Sequence, residues 1–155
     1  MQPPYKFKTK PYQYQLEAFN EGKDRLHYAY FMEMGTGKTK VTIDNLAYLY
    51  HCNKINFALV VAPNTVYQNW NKSGKTIANM LLGSYGNKGC MVVDESTTIK
   101  NRTAIRTKNI TTLGRKAKYR RILTGSPITK SPLDLFSQAT FLHDDLLECK
   151  NNYYV

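Results

Sequence analysis

Four short apolar runs limit what this chain can become. They are "LHYAYFM" at 26–32, "NFALVVAP" at 56–63, "CMVVDE" at 90–95 and "YRRILTG" at 119–125. Each has the length of one buried strand and is far too short to cross a bilayer. The segments between them carry helical signals. Residues 12–24 place Leu16, Phe19 and, less regularly, Tyr12 on one face, with Gly22 as a stop. Residues 38–52 carry Val41, Leu46 and Leu49 at near-helical spacing, and 103–116 reads as a helix ending near Gly114. Residues 131–142 open with Ser131 as a candidate cap, Pro132 at the first helical position and Asp134 in the first turn. Strand and helix in alternation predict an α/β fold, a parallel sheet flanked by helices. At 155 residues the chain is one domain with room for a real core.

The first chemistry lies between the first strand and the helix after it, in "YFMEMGTGKTK" at 30–40. A phosphate loop needs a glycine, four free residues and then Gly-Lys-Ser/Thr; here Met32 stands in place of the first glycine. The strand–loop–helix context supports the match. Backbone N–H groups of Gly35, Thr36, Gly37, Lys38 and Thr39 would converge at the positive end of a helix. Lys38 would reach the terminal phosphates, and the Thr39 hydroxyl would enter a magnesium shell. A second "GKT" at 74–76 has no strand before it and reads as loop. The complement to a phosphate loop is a carboxylate pair, and "MVVDESTTIKN" at 91–101 supplies one at the end of an apolar strand. Asp94 would hold magnesium, and Glu95 would orient or deprotonate an attacking water.

Charge points to a partner without deciding it. The net charge is +11, and no acidic residue occurs from Ser96 to Leu133. That stretch carries Lys100, Arg102, Arg106, Lys108, Arg115, Lys116, Lys118, Arg120, Arg121 and Lys130. Such a run is either a solvated face or a surface for a polyanion. Cys52, Cys90 and Cys149 lack the spacing of a disulfide framework or zinc site, and His27, His51 and His143 form no ligand cluster in the sequence. The amino terminus has no apolar signal core, which gives the expectation of a cytoplasmic protein of a bacterium or a phage-infected cell, with no membrane partner.

Taken with these motifs, the sequence resembles the Swi/Snf-type DNA translocases of helicase superfamily two, nearly end to end through their first RecA-like lobe. "YQLEAF" at 14–19 is similar to the adenine-reading segment, with Gln15 as the matching glutamine and Gln13 as the alternative register. "MEMGTGKT" at 32–39 is similar to the family's "DEMGLGKT", a form that often lacks the first glycine. "LVVAPNTVYQNW" at 59–70 resembles a motif whose turn, here Pro63, Asn64 and Thr65, touches the DNA backbone. "DESTTIKN" at 94–101 stands where the family has "DEAHxIKN". "ILTGSPITKSPLDLFSQATFL" at 122–142 resembles "LTGTPIQNxxxDLxSxxxFL". The resemblance implies a RecA-like P-loop NTPase lobe over 1–155 that binds ATP and Mg2+. In it Lys38, Asp94 and Glu95 would be catalytic, and Thr124, Gly125 and Ser126 would couple the nucleotide to DNA.

Three departures shape that expectation. Only 23 residues lie between Trp70 and Asp94, enough for one helical crossover and the start of the next strand. Thr97 replaces the family's histidine, which puts the link between the acidic box and the next motif in question. The first lobe's motifs end near Leu142, so the second lobe, with its arginine fingers, is expected to be absent or supplied by another chain or another copy. A short natural gene, a phage-encoded fragment and a piece of a longer protein are all open origins. Two rivals stay beside the ATP-binding lobe: a basic DNA- or partner-binding module without turnover, and a small phosphate-loop kinase. The kinase leaves "DESTTIKN" and "LTGSP" unexplained.

Overall fold

The computed structural model describes residues 4–63, 88–128, 132, 134–143 and 146. Strands β1 (His27–Phe31), β2 (Phe57–Val61), β3 (Gly89–Asp94) and β4 (Tyr119–Thr124) form one sheet in the order β1-β4-β3-β2. Every pair is parallel, as the alternation of elements predicts. All six residues of β3 are buried, which is what a central strand covered on both faces requires. β2 stops at Val61, two residues before Pro63, whose ring cannot donate to the ladder.

Helix α1 spans Gln13–Gly22 and α2 spans Lys38–His51. Their apolar faces close one side of the sheet, where Phe19, Val41, Leu46 and Leu49 meet Tyr30, Cys90, Val92 and Leu123. α3 (Ile105–Gly114) and α4 (Asp134–Leu142) close the other, with Ile110, Phe141 and Leu142 against Met91, Val93 and Ile122. Cys90 and Val92 thus face one layer and Met91 and Val93 the other, as the two-residue period of a strand demands. Asp134 lies in the first turn of α4, as expected; Ser131 lies outside the described residues.

Two sequence expectations are corrected. Tyr12 is not on the buried face of α1 but is 69% exposed, because it is the extended N-cap residue and helical spacing does not reach it. The buried stripe is Gln15, Phe19 and Gly22, with Leu16 half-buried beside it. The basic run after Ser96 is not one surface either. Arg121 is fully buried, and the Arg120 guanidinium donates to the carbonyls of Phe141 and Leu142 at 3.1 and 3.2 Å. β4 turns both inward because it is an inner strand of the sheet. The crossover after Trp70 lies outside the described residues until Lys88, as does the second "GKT".

Arg121 binds several elements together. Its Nε donates to Asn45 Oδ1 of α2 at 2.9 Å. One terminal nitrogen donates to the carbonyls of Leu26 and Arg120, both at 2.9 Å. The other donates to Gly22 and Arg25 at 3.3 and 2.8 Å. All five N–H protons of the fork are therefore used. These acceptors are carbonyls and one amide oxygen, among them a carbonyl at the negative end of α1. Lysine has three donors on a single nitrogen and cannot reproduce the fork. Arg121→Lys is expected to cost at least about 1–3 kcal/mol, read as a lowered urea midpoint, because several interior carbonyls lose their partner.

His27, at the start of β1, carries a second readout. Burial, reinforced by the nearby charges of Arg120, His143 and Arg121, pushes its imidazole from 6.5 down to about 4. Between those values the unfolded chain binds a proton that the folded chain refuses, so stability falls as the pH falls through that window. His27→Gln should flatten this part of the profile, measured as urea midpoints at about pH 7 and about pH 5. An unchanged slope would show that other groups set it.

Candidate active site

Because the strands are parallel, their C-terminal ends share one edge, and β1, β4 and β3 are contiguous there. Phe31 pairs with Thr124, and Asp94 with Leu123. The sheet order therefore places the turn after β4 between the glycine loop after β1 and the acidic turn after β3. Ligands of open α/β sheets bind at such an edge.

The loop at 32–37 has the backbone that its glycines allow. Gly35 and Gly37 have φ of 80° and 84°, in the left-handed region. Gly37 is the N-cap of α2, so the helix's first N–H groups open at this edge. A Cβ on Gly35 would meet nothing within 4 Å, whereas one on Gly37 would lie 2.6 Å from Gln15 Nε2. The loop is thus open outward and closed by α1 inward. Met32, the missing glycine, does not have a positive φ; its N–H extends the ladder to Thr124 O at 3.3 Å. A side chain is tolerated there because the chain is still strand-like.

Lys38 is buried, and its ammonium donates to the carbonyls of Met32 and Glu33 at 3.1 and 3.2 Å. It is held inside the curl of the loop. Thr39 is half-buried in the first turn of α2. The Thr36 hydroxyl donates to Glu33 O at 2.7 Å, tightening the loop. Gln15 is buried and donates from Nε2 to Thr36 O at 2.9 Å, while its Oε1 accepts from Tyr12 N at 3.1 Å. Gln13 is exposed and turned toward Glu17. Of the two registers, the structure sets Gln15 against the loop.

At the end of β3, Asp94 is buried and its Oδ1 accepts from the N–H of Glu95 at 2.9 Å. Glu95 is half-buried with φ 50° and ψ 59°, a left-handed conformation that costs a non-glycine residue about 1–3 kcal/mol. It caps a short 3-10 turn, Ser96–Ile99, that the sequence pattern did not signal. In the turn after β4, Thr124 is buried and its hydroxyl accepts from Ser126 N at 3.1 Å. Gly125 packs on the glycine loop, since a Cβ there would lie 3.3 Å from Met32 O and 3.4 Å from Met34 N. Pro63 is half-buried beyond β2; Asn64 and Thr65 lie outside the described residues.

Sequence reasoning missed two residues here. Ser96 and Gln138 are both fully buried, and Ser96 Oγ lies 2.5 Å from Gln138 Oε1. The other end of the amide donates to Pro127 O at 2.7 Å and to Asp134 O at 2.9 Å. A connection between the acidic turn and the turn after β4 therefore exists, and it runs through Ser96, one residue before Thr97. The available signal was an amide in the middle of the otherwise apolar "DLFSQATFL". Among the described residues no group of three or more His, Cys, Asp or Glu could hold a metal ion. The sequence-expected pair, the Thr39 hydroxyl at the start of α2 and the Asp94 carboxylate at the end of β3, are hard oxygens, the donor type magnesium takes.

Comparison with known proteins agrees with this architecture. The SNF2-related domain family matches residues 76–154. The chain superposes on the Sulfolobus solfataricus SWI2/SNF2 ATPase core in complex with dsDNA with a TM-score of 0.75 and 26% identity, covering 91% of this chain. For the Sulfolobus solfataricus SWI2/SNF2 ATPase core domain the values are 0.73, 27% and 94%. This chain spans 37% of the length of each of those structures. No curated protein matches it. With its parallel sheet and helical layers arranged as in the SWI2/SNF2 ATPase core, the chain belongs to the SNF2-related domain family.

Proposed function

We propose that this chain is the Mg-ATP-binding lobe of a SNF2-type DNA translocase, with slow hydrolysis of its own and weak, sequence-independent contact with duplex DNA. The observation that carries the reading is the meeting of three turns on adjacent strands. They are a left-handed glycine loop at a helix start, a buried aspartate followed by a strained glutamate, and a threonine turn between them. The dsDNA complex of the Sulfolobus solfataricus ATPase core supports the choice of duplex.

Each group has a physical task. The N–H groups at the start of α2 would bind phosphate oxygens, and Lys38 would exchange the carbonyls of Met32 and Glu33 for phosphate. Thr39 and Asp94 would hold magnesium. Bound Mg2+ would neutralise charge on the transferred phosphoryl group. Glu95 would align the attacking water, its carboxylate aimed by the left-handed backbone. Gln15, already bonded to the loop, would carry adenine recognition from α1. One lobe lacks the cation that an arginine finger brings, worth roughly 10³- to 10⁵-fold in rate, so turnover by this lobe alone should be very slow.

Titration with a fluorescent ATP analogue tests the site. Lys38→Ala should weaken binding at least tenfold, while Glu95→Gln should bind normally and lose residual hydrolysis. Equal affinity of wild type and Lys38→Ala would return the glycine loop to the status of a turn. ATP binding with no hydrolysis to lose would favour the non-catalytic binding module.

Duplex affinity measured across salt concentrations tests the other half. Two of the ten cations after Ser96 are spent inside the fold, and a single lobe would reach only a few phosphates with the rest. Each phosphate neutralised adds about −0.9 to the log–log slope, so a slope of only a few units is expected, equal for unrelated sequences. No binding at low salt would leave the remaining cations of the run as solvated surface charge.

A further inference from the structure

We infer that Gln138 is a positioning residue that transmits DNA contact at the turn after β4 to Glu95, through Ser96. The inference rests on the function proposed above and assigns the route within that site. Its geometry fixes the chemistry at each atom. The carbonyls of Pro127 and Asp134 can only accept, so the amide nitrogen of Gln138 must face them. Gln138 Oε1 is then an acceptor, and the Ser96 hydroxyl must donate to it. No group in this chain of bonds can reverse its role.

The bonds also cross between elements that share no covalent neighbour. Pro127 follows the exposed Ser126, on the turn that would meet a DNA backbone. Asp134 and Gln138 belong to α4, and Ser96 is adjacent to Glu95. A second bond, from the Ser137 hydroxyl to Lys100 O at 2.9 Å, clamps α4 to the far end of the same 3-10 turn. A shift of Pro127 therefore moves Gln138, and Gln138 pulls on the residue next to Glu95, the one non-glycine left-handed position among the described residues of this edge. The Glu95 backbone is the element with least reserve against such a pull, since its strain is held by neighbouring bonds.

The test measures duplex affinity with and without a saturating non-hydrolysable ATP analogue and Mg2+, and the analogue's affinity with and without duplex. Linkage requires the two ratios to agree. Wild type is expected to show a ratio of about fivefold or more. Ser96→Ala removes the hydroxyl but leaves the Gln138 bonds to Pro127 and Asp134, so the fold should survive. It should bind the analogue within about threefold of wild type while the ratio falls below about twofold. Gln138→Leu should give the same loss with lower stability. A merely structural pair would lower the unfolding midpoint and leave the ratio intact, which would overturn the inference. A wild-type ratio of one, with both ligands bound, would overturn it too while leaving the proposed function standing. Failure of wild type to bind the analogue would instead bring down the nucleotide reading and this inference together.

Discussion

A buried guanidinium with five hydrogen bonds and carbonyl acceptors is the interaction on which the rest of the lobe depends. Arg121 lies on β4, yet it reaches the end of α1, the entry to β1 and Asn45 of α2. Asn45 in turn donates to Lys23 O at 3.1 Å, so the join is closed on both sides. It fixes α1 against the sheet, and α1 carries Gln15 to the glycine loop. The geometry of the candidate site is thus set in part from the opposite end of the strands, through the rigidity of one helix.

The arrangement of the site follows from strand order. β1 and β3 are not neighbours; β4 separates them and brings its own turn into the gap. Gly125 has the close approach to Met32 and Met34 that a side chain would obstruct. The three turns therefore cannot move independently. A displacement in the middle one is felt on both sides, by the loop through backbone contact and by the acidic turn through Gln138.

The architecture was legible in the sequence because it rests on period and punctuation. Four apolar runs, the spacing of Val41, Leu46 and Leu49, and the glycines of the loop give parallel strands, a helix and a turn with little room for alternatives. The residue types at the edge were legible for the same reason, as Lys38 opens the helix after the glycine loop and Asp94 and Glu95 stand at the end of a strand. Tertiary pairing of polar groups was not. Arg121 looked like one more member of a charged run, and nothing local shows that carbonyls from residues about a hundred positions earlier surround it. Gln138 and Ser96 are 42 residues apart and become partners only when α4 lies over the acidic turn. The choice between Gln13 and Gln15 likewise needed the loop in place before one of them could touch it.

With the role proposed for it, the left-handed Glu95 would set stability and chemistry against each other at a single position. Glycine or asparagine there would relax the backbone, and either would delete the carboxylate. Selection for heat resistance alone, in the laboratory or in a genome that has lost the need for turnover, would be drawn to this residue. On the proposed role of Glu95, the identity of residue 95 in relatives would serve as a compact record of whether a lineage has kept hydrolysis or settled for a sturdier, silent lobe.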